Sequence, residues 1–350
     1  MTNGAEHQVL IGPVEEAVEL SALAAATRLP LVTDDKVLGL WGDRLRRVIE
    51  FEPLIVPQGE AAKSWNVLRS LVDGLARIGA TRSTPVLAFG GGSIGDVAGL
   101  AAALFKRGCP IVHLPTSLLA QVDSAIGGKT AIDSAGQKNL VGAFHAPALV
   151  VADPSFLATL DRRQLRAGYA EMAKYGLIED EEFFAWCESH GQKVVDGDDA
   201  ARLRGIEHCL RAKARFVAED FHDRTGRRAL LNFGHSFGHA IESAAGVGTI
   251  LHGEAVALGM QLAFRLSAEL GLCPAEHGER VRAHFATMGL PRSLADVGLH
   301  GEGARLLPFM LADKKVESRG PVLILTRGIG QAFVSRDISA DRLSRFLGSL

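Results

Sequence analysis

Four residues between positions 171 and 252 have the side chains and spacing of a metal site. In Leu231 to Glu242, LNFGHSFGHAIE, His235 and His239 stand four apart, on one face if the segment is helical. His252 follows at the start of LHGEAVALGM, and Glu171 lies in GYAEMAKYG, an apolar stretch where a buried, unpaired carboxylate would be costly. A metal ion answers that cost. Two histidines and one glutamate from three separate helices, with a coordination position left open, form the ligand set of a catalytic zinc site. His235 and His239 also fit one ligand and one substrate contact, and any single histidine can satisfy local hydrogen bonds.

Two glycine-bearing segments precede this set. Gly90, Gly91, Gly92, Ser93, Ile94, Gly95 and Asp96 follow the strand-like PVLAF and open a helix-like stretch, where bare backbone N–H groups and a helix N-terminus suit a phosphate. Gly90, Gly92 and Gly95 satisfy GxGxxG, but the acid found about twenty residues on in ordinary dinucleotide-binding Rossmann units is missing; the first acid after Asp96 is Asp123. A structural turn would use the same glycines. The second segment, PTSLLAQVDSAIGGKTAIDSAGQKN from Pro115 to Asn139, places Lys129 and Lys138 on a glycine-bearing loop with Asp123 and Asn139 nearby. Paired lysines suit an anionic substrate or cofactor, whereas composition alone favours a solvated loop.

These residues need a two-part scaffold. Short apolar runs (VLIG, PLVT, LIVP, PVLAF, PIVHLP, ALVVAD) alternate with helix-like stretches over the first 150 residues, the pattern of an α/β domain with a mainly parallel sheet. From about Pro154 the apolar spacing changes to three and four, in RQLRAGYAEMAKYGL, AARLRGIEHCLRAKARFVAED and GEAVALGMQLAFRLSAELG. The exception is GPVLILTRGIGQAFVS, which has the pattern of a late hairpin around an Arg-Gly turn. The expected organisation is an α/β domain over 1–153 and a mainly helical domain over 154–350, with a ligand cleft between them.

With 350 residues and 47% hydrophobic content the chain can bury a large core. A formal net charge of -2 offers no basic face for nucleic acid, so anions must meet local lysines and arginines. The start MTNGAEHQ is unlike a signal peptide and no run of eighteen apolar residues occurs, so a soluble, cytoplasmic protein with no membrane partner is expected. Cys109, Cys187, Cys209 and Cys273 form no CxxC pair and suggest neither a disulfide framework nor a cysteine zinc site.

Taken in order, PQGEAAK, GGGSIGDVAG, PTSLLAQVDSAIGGKT, KNLVGAF, FLATL, AEMAKYGLI, LNFGHSFGH, LHGEAVALGM and DKKV resemble the 3-dehydroquinate synthase family of sugar-phosphate cyclases. The resemblance implies a dehydroquinate synthase-like fold, its α/β part Rossmann-like and NAD-binding. It implies Zn2+ ligands Glu171, His235 and His252, with Co2+ as a substitute. NAD contacts are implied for Gln58, Gly59, Glu60, Lys63, Gly92, Ser93, Ile94, Gly95, Asp96, Thr116, Ser117, Lys129, Lys138, Phe156, Leu157, Ala158 and Thr159. Contacts to a sugar-phosphate substrate are implied for Asp123, Lys129, Asn139, Lys174, Lys213, Arg228, Asn232 and His239, with Lys314 or Lys315 from DKK. Arg107 in FKRG corresponds to an arginine that reaches the neighbouring site of a homodimer. The sequence departs from the family at Gln137, Ser117 and before Arg228. There Arg224 stands four residues back, and counting from Lys213 puts Asp223 at the place of the family's glutamate, which implies a one-residue insertion.

The implied reaction converts 3-deoxy-D-arabino-heptulosonate 7-phosphate to 3-dehydroquinate in the shikimate pathway. NAD oxidises a secondary alcohol, phosphate leaves and can itself take the proton, the ketone is reduced again, and ring opening precedes aldol closure without net redox. A relative acting on an amino analogue and a metal-dependent polyol-phosphate dehydrogenase are the rival readings. The dehydrogenase has no need of so many substrate anchors, and relatives whose substrates lack a carboxylate tend to lack the second histidine and late lysines present here. A catalytically dead binding protein has no use for the full ligand set.

Overall fold

A computed structural model describes residues 8–19, 23, 28–223, 226–246, 248–312, 316–317 and 320–350. The first elements are β1 (Gln8–Ile11), α1 (Val14–Glu19), β2 (Leu29–Thr33), α2 (Asp35–Arg46), β3 (Phe51–Ile55), α3 (Trp65–Ile78), β4 (Val86–Gly90) and α4 (Gly92–Leu104). Then come β5 (Ile111–Pro115), β6 (Lys129–Ser134), β7 (Gln137–Phe144) and β8 (Leu149–Ala152). The helices α5 (Arg162–Glu179), α6 (Glu181–Asp196), α7 (Asp199–Glu219), α8 (His235–Ala245), α9 (His252–Glu269), α10 (Ala275–Thr287) and α11 (Leu306–Ala312) follow. The chain closes with β9 (Val316–Glu317), β10 (Gly320–Pro321), β11 (Leu323–Thr326), β12 (Ala332–Ser335) and α12 (Ala340–Gly348). None of the described helices is long and apolar enough to cross a membrane.

Packing divides the chain into two compact units. One holds the described residues up to Asp161 together with Arg202–Ala218, and the other holds Arg162–Ala201 and the described residues from Glu219 onward. The division falls at 161/162 where the sequence pattern put it at 153/154, and most of α7 rejoins the first unit. Local apolar spacing identifies a helix but not its distant partner.

In the first unit six parallel strands run in the order β1-β8-β5-β4-β2-β3, the mainly parallel sheet expected. Successive side chains serve opposite faces. Leu31, Leu87 and Val112 pack into one core with Val14, Leu45 and Phe156, while Val32, Ala88 and Ile111 pack into another with Leu71, Val97 and Ala101. Helices thus cover both faces, which is why these strands are continuous apolar runs. Helix ends follow side-chain chemistry: Asp34 accepts from Val37 N (2.9 Å) to start α2, and α3 stops at Gly79, at φ +78°.

One stretch taken for a loop in the sequence is largely ordered. A π turn spans Ala120–Ser124, and β6 and β7 form an antiparallel hairpin turning through Ala135 and Gly136 at φ +50° and +74°. Lys129 opens β6, and Lys138 and Asn139 lie near the start of β7.

The second unit is mainly helical. α5 is buried almost throughout from Ala167 to Ile178, as is α9 from Ala255 to Phe264. β11 and β12 pair antiparallel, Leu323 opposite Ser335, as the late hairpin pattern predicts.

Candidate metal and cofactor sites

The second unit brings Glu171, His235 and His252 together from α5, α8 and α9. Glu171 is 1% exposed, and its Oε1 stands 3.6 Å from His235 Nε2 and 3.5 Å from His252 Nε2. Ligands about 2.0–2.2 Å from a tetrahedral zinc are roughly 3.3–3.6 Å apart, so these donors have the spacing of co-ligands. Lys174 Nζ, equally buried one turn along α5, lies 2.6 Å from Glu171 Oε2. His239 is exposed beside the group, its ring centre 5.5 Å from that of His235 and 5.7 Å from that of His252.

Electrostatics separate the two histidines. Burial lowers His235 to about 3, with Glu171 opposing the shift. Burial pulls His252 the same way, but hydrogen bonds to Glu171 and Glu242 outweigh it and raise His252 to about 10. The buried carboxylate therefore attracts a cation to its oxygens, and one neutral imidazole is ready beside it. The donor set suits a divalent metal.

Close helix packing positions these ligands. A Cβ on Gly253, next to His252, would lie 1.9 Å from Ala167 O, one turn before Glu171. A Cβ on Gly259 would lie 2.0 Å from Gly234 O, and Gly234, at φ +82°, opens α8 just before His235. Arg163 grips Glu254 with two bonds of 2.6 and 2.7 Å, while Glu254 Oε2 accepts from Leu251 N at 2.9 Å. The start of α9, with His252, is thereby tied to the start of α5.

The first unit gathers many of the residues implied to contact NAD. Lys63, 5% exposed, donates to Asp96 Oδ2 at 2.8 Å and to Asn139 Oδ1, and lies 3.7 Å from Glu60 Oε2. Ser93 Oγ donates to Glu60 Oε1 at 3.2 Å. Burial disfavours the charge on Lys63, but Asp96 and Glu60 outweigh it and raise its pKa, while burial raises Asp96 against the pull of Lys63. Asn139 takes φ +54° and its N–H donates to Asp133 Oδ1 at 2.7 Å. Gly91 caps α4 without a side-chain hydrogen bond, and Thr116 N donates to Gly90 O at 2.9 Å. Ser117 Oγ accepts from Ala120 N at 3.3 Å.

The remaining positions are more dispersed. Lys213 Nζ donates to Asp123 through both Oδ1 and the backbone carbonyl. Lys129, Lys138, Gln58 and Gly59 are exposed, whereas Ile94, Phe156 and Leu157 are core residues. Phe156 packs edge-on against Phe89 and Trp41, so in its turn only Ala158 and Thr159 are exposed beyond it. Arg228, 2% exposed, donates from Nη1 to Phe221 O at 2.6 Å, and Asn232 ends the same 3-10 turn. Asp223 takes φ +55° and its N–H donates to Asp220 O at 3.1 Å. Lys314, Lys315 and Arg224 lie outside the described residues. Asp133, Arg163, Glu242 and Glu254 were not singled out in the sequence; only Glu242, seven residues after His235 and so on the same helix face, carried a readable signal.

Two family models match in succession, 3-dehydroquinate synthase N-terminal over 53–167 and 3-dehydroquinate synthase C-terminal over 168–316. The 3-dehydroquinate synthase of Zymomonas mobilis subsp. mobilis is 49% identical over 302 residues, 86% of this chain and 80% of its own. The structure of 2-epi-5-epi-valiolone synthase from Streptomyces hygroscopicus subsp. jinggangensis, solved with NAD+ and Zn2+ bound, superposes with a TM-score of 0.84 at 31% identity, covering 99% and 97% of the two chains. A 2-deoxy-scyllo-inosose synthase complexed with carbaglucose-6-phosphate, NAD+ and Co2+ gives 0.81 at 26% identity, covering 97% and 96%.

Proposed function

The chain belongs to the 3-dehydroquinate synthase family, and we propose that it converts 3-deoxy-D-arabino-heptulosonate 7-phosphate to 3-dehydroquinate with release of phosphate. The observation that carries this reading is the triangle of buried Glu171 with half-buried His235 and His252, at co-ligand spacing and flanked by Lys174 and His239. A simple binding protein gains nothing from holding a buried carboxylate against two imidazoles.

Glu171, His235 and His252 hold the metal, and the Lys63, Asp96 and glycine-turn group of the first unit holds NAD. When bound, NAD accepts and returns a hydride and the divalent ion supplies a Lewis acid. Lys174, paired with Glu171 at 2.6 Å, offers positive charge to substrate oxygens. His239, exposed next to His235, orients a substrate hydroxyl and can relay its proton. Arg228, with Nη1 anchored on Phe221 O, presents a fixed guanidinium fork to an anionic group. Asp123, paired with Lys213, together with Lys129, Asn139 and Asn232, completes the set of substrate contacts.

The protein acts as a cytoplasmic homodimer in which Arg107 serves the partner's site. Lys106, Arg107 and Gly108 all have positive φ, at +49°, +66° and +110°, and Arg107 is exposed. Two consecutive non-glycine residues in this region cost roughly 1–2 kcal/mol each, a strain that function can justify.

Supplying the C7 keto-acid sugar phosphate to protein loaded with NAD and zinc tests the reading. Phosphate release without accumulation of NADH supports it. NADH formed in proportion to substrate would favour a polyol-phosphate dehydrogenase, and phosphate release only from an amino-substituted analogue would move the protein to a specialised pathway.

A further inference from the structure

Glu242 has no part in the ligand triangle, yet it is buried at 7% exposure and its Oε2 lies 3.3 Å from His252 Nδ1. His252 therefore faces two carboxylates through opposite ring nitrogens, Nε2 toward Glu171 and Nδ1 toward Glu242. We infer that Glu242 is a positioning residue for the metal centre, accepting the Nδ1 proton of His252 so that Nε2 carries the lone pair offered to the ion.

Geometry supports this on three counts. His235 and Glu242 are seven residues apart on α8, two turns along one face, so the helix that supplies one ligand also braces another. His252 is the first residue of α9, and Gly253 fits against Ala167, which leaves its ring orientation to be set by contacts to the side chain. A neutral imidazole has one bare nitrogen and one protonated nitrogen, and a carboxylate at Nδ1 selects the tautomer with Nε2 bare. The same carboxylate makes Nε2 the stronger donor.

The residues also allow a competing arrangement. His239, Glu242 and His252 have donor atoms close enough to hold a cation themselves. If His252 served that set through Nδ1, the nitrogen 3.3 Å from Glu242, it would have to give up the Nδ1 proton, so this arrangement competes with the bracing role and predicts a second metal.

The inference rests on the metal reading above, and measurements of zinc and cobalt binding against a competing chelator separate the two. Wild-type protein is expected to bind one equivalent. Glu242→Ala should weaken that binding roughly 10- to 100-fold, while Glu242→Gln, whose amide oxygen still accepts from Nδ1–H, should recover part of the loss. The cobalt absorption bands should be retained in both, because the ligands are unchanged. Affinity within twofold of wild type in folded Glu242→Ala overturns the bracing role alone. Two equivalents in wild type falling to one in the variant would make Glu242 a ligand, and no metal in wild type would overturn the metal reading as well. If neither variant folds, 15N spectra of the histidine rings in zinc-loaded wild type decide the matter. The expected result is a proton on Nδ1 of His252, and a bare Nδ1 rejects the inference.

Discussion

Gly253 and Ala167 meet so closely that a single methyl group on the glycine would lie 1.9 Å from the alanine carbonyl oxygen. This contact fixes the start of α9 against α5, and with it His252 relative to Glu171. Gly253→Ala must push the helices apart, at a cost of about 1–3 kcal/mol. Metal affinity should fall along with thermal stability. A variant that melts lower while binding zinc as tightly as wild type would show that the contact serves stability alone.

Replacing the buried carboxylate tests the ligand triangle directly. Glu171→Gln removes its charge, leaves Lys174 beside an amide, and should reduce bound metal below a tenth of an equivalent. Activity of wild-type protein should disappear with chelator and return with zinc or cobalt. Metal retained at one equivalent in Glu171→Gln, measured by elemental analysis, would remove Glu171 from the ligand set.

Lys63 neutralises Asp96 and fixes Asn139, so Lys63→Met should affect the first unit more than a surface lysine would. Breaking a buried ion pair costs about 3–5 kcal/mol; Asp96 keeps 23% of its side-chain exposure, which reduces the expected loss to roughly 1–3 kcal/mol. NAD affinity, read by fluorescence titration, should fall at least tenfold. Unchanged NAD binding in a stably folded variant would separate this network from cofactor recognition.

His284 sets an acid limit on stability. Its Nε2 lies 2.7 Å from Tyr169 Oη, and burial, opposed by Glu188 and aided by Arg280, lowers it to about 4 from an ordinary value of 6.5. Between those values the unfolded chain binds a proton that the folded chain refuses. Stability is therefore fully present above pH 6.5 and declines as pH falls through 4, by about 3 kcal/mol for this residue. His113, also lowered to about 4 by burial, adds a loss of the same sign. Urea unfolding between pH 7 and pH 4.5 should show a shallower decline in His284→Gln than in wild type, and parallel curves would refute the assignment.

Subunit mixing tests Arg107. Equal amounts of Arg107→Ala and Glu171→Ala, allowed to exchange, give about half mixed dimers. If Arg107 acts across the boundary, each mixed dimer has one intact site, so activity should recover to roughly a quarter of wild type. No recovery after verified exchange would place the arginine in its own subunit's site.

The sequence revealed most where residue type and period coincide. Apolar runs such as PVLAF are strands because both faces of the sheet are buried, and Glu171 stood out because an acid in an apolar helix needs a partner. The Lys129 to Phe144 hairpin was harder to read, since its partly buried strands interleave charged and polar residues with small ones and its Ala135-Gly136 turn lacks the usual asparagine or aspartate. Arg163 and Glu254 gave no signal at all, because a pair 91 residues apart is brought together only by helix packing.

The return of α7 to the first unit also sets an order of events during synthesis. Asp123 leaves the ribosome 90 residues before its partner Lys213, an interval of about 5–20 seconds at ordinary translation rates. During that time α5 and α6 emerge first, although both belong to the other unit. A nascent chain halted at residue 161 holds every strand of the six-stranded sheet but lacks the part of α7 that belongs to the same unit, so the first unit cannot finish folding before the second has begun to appear.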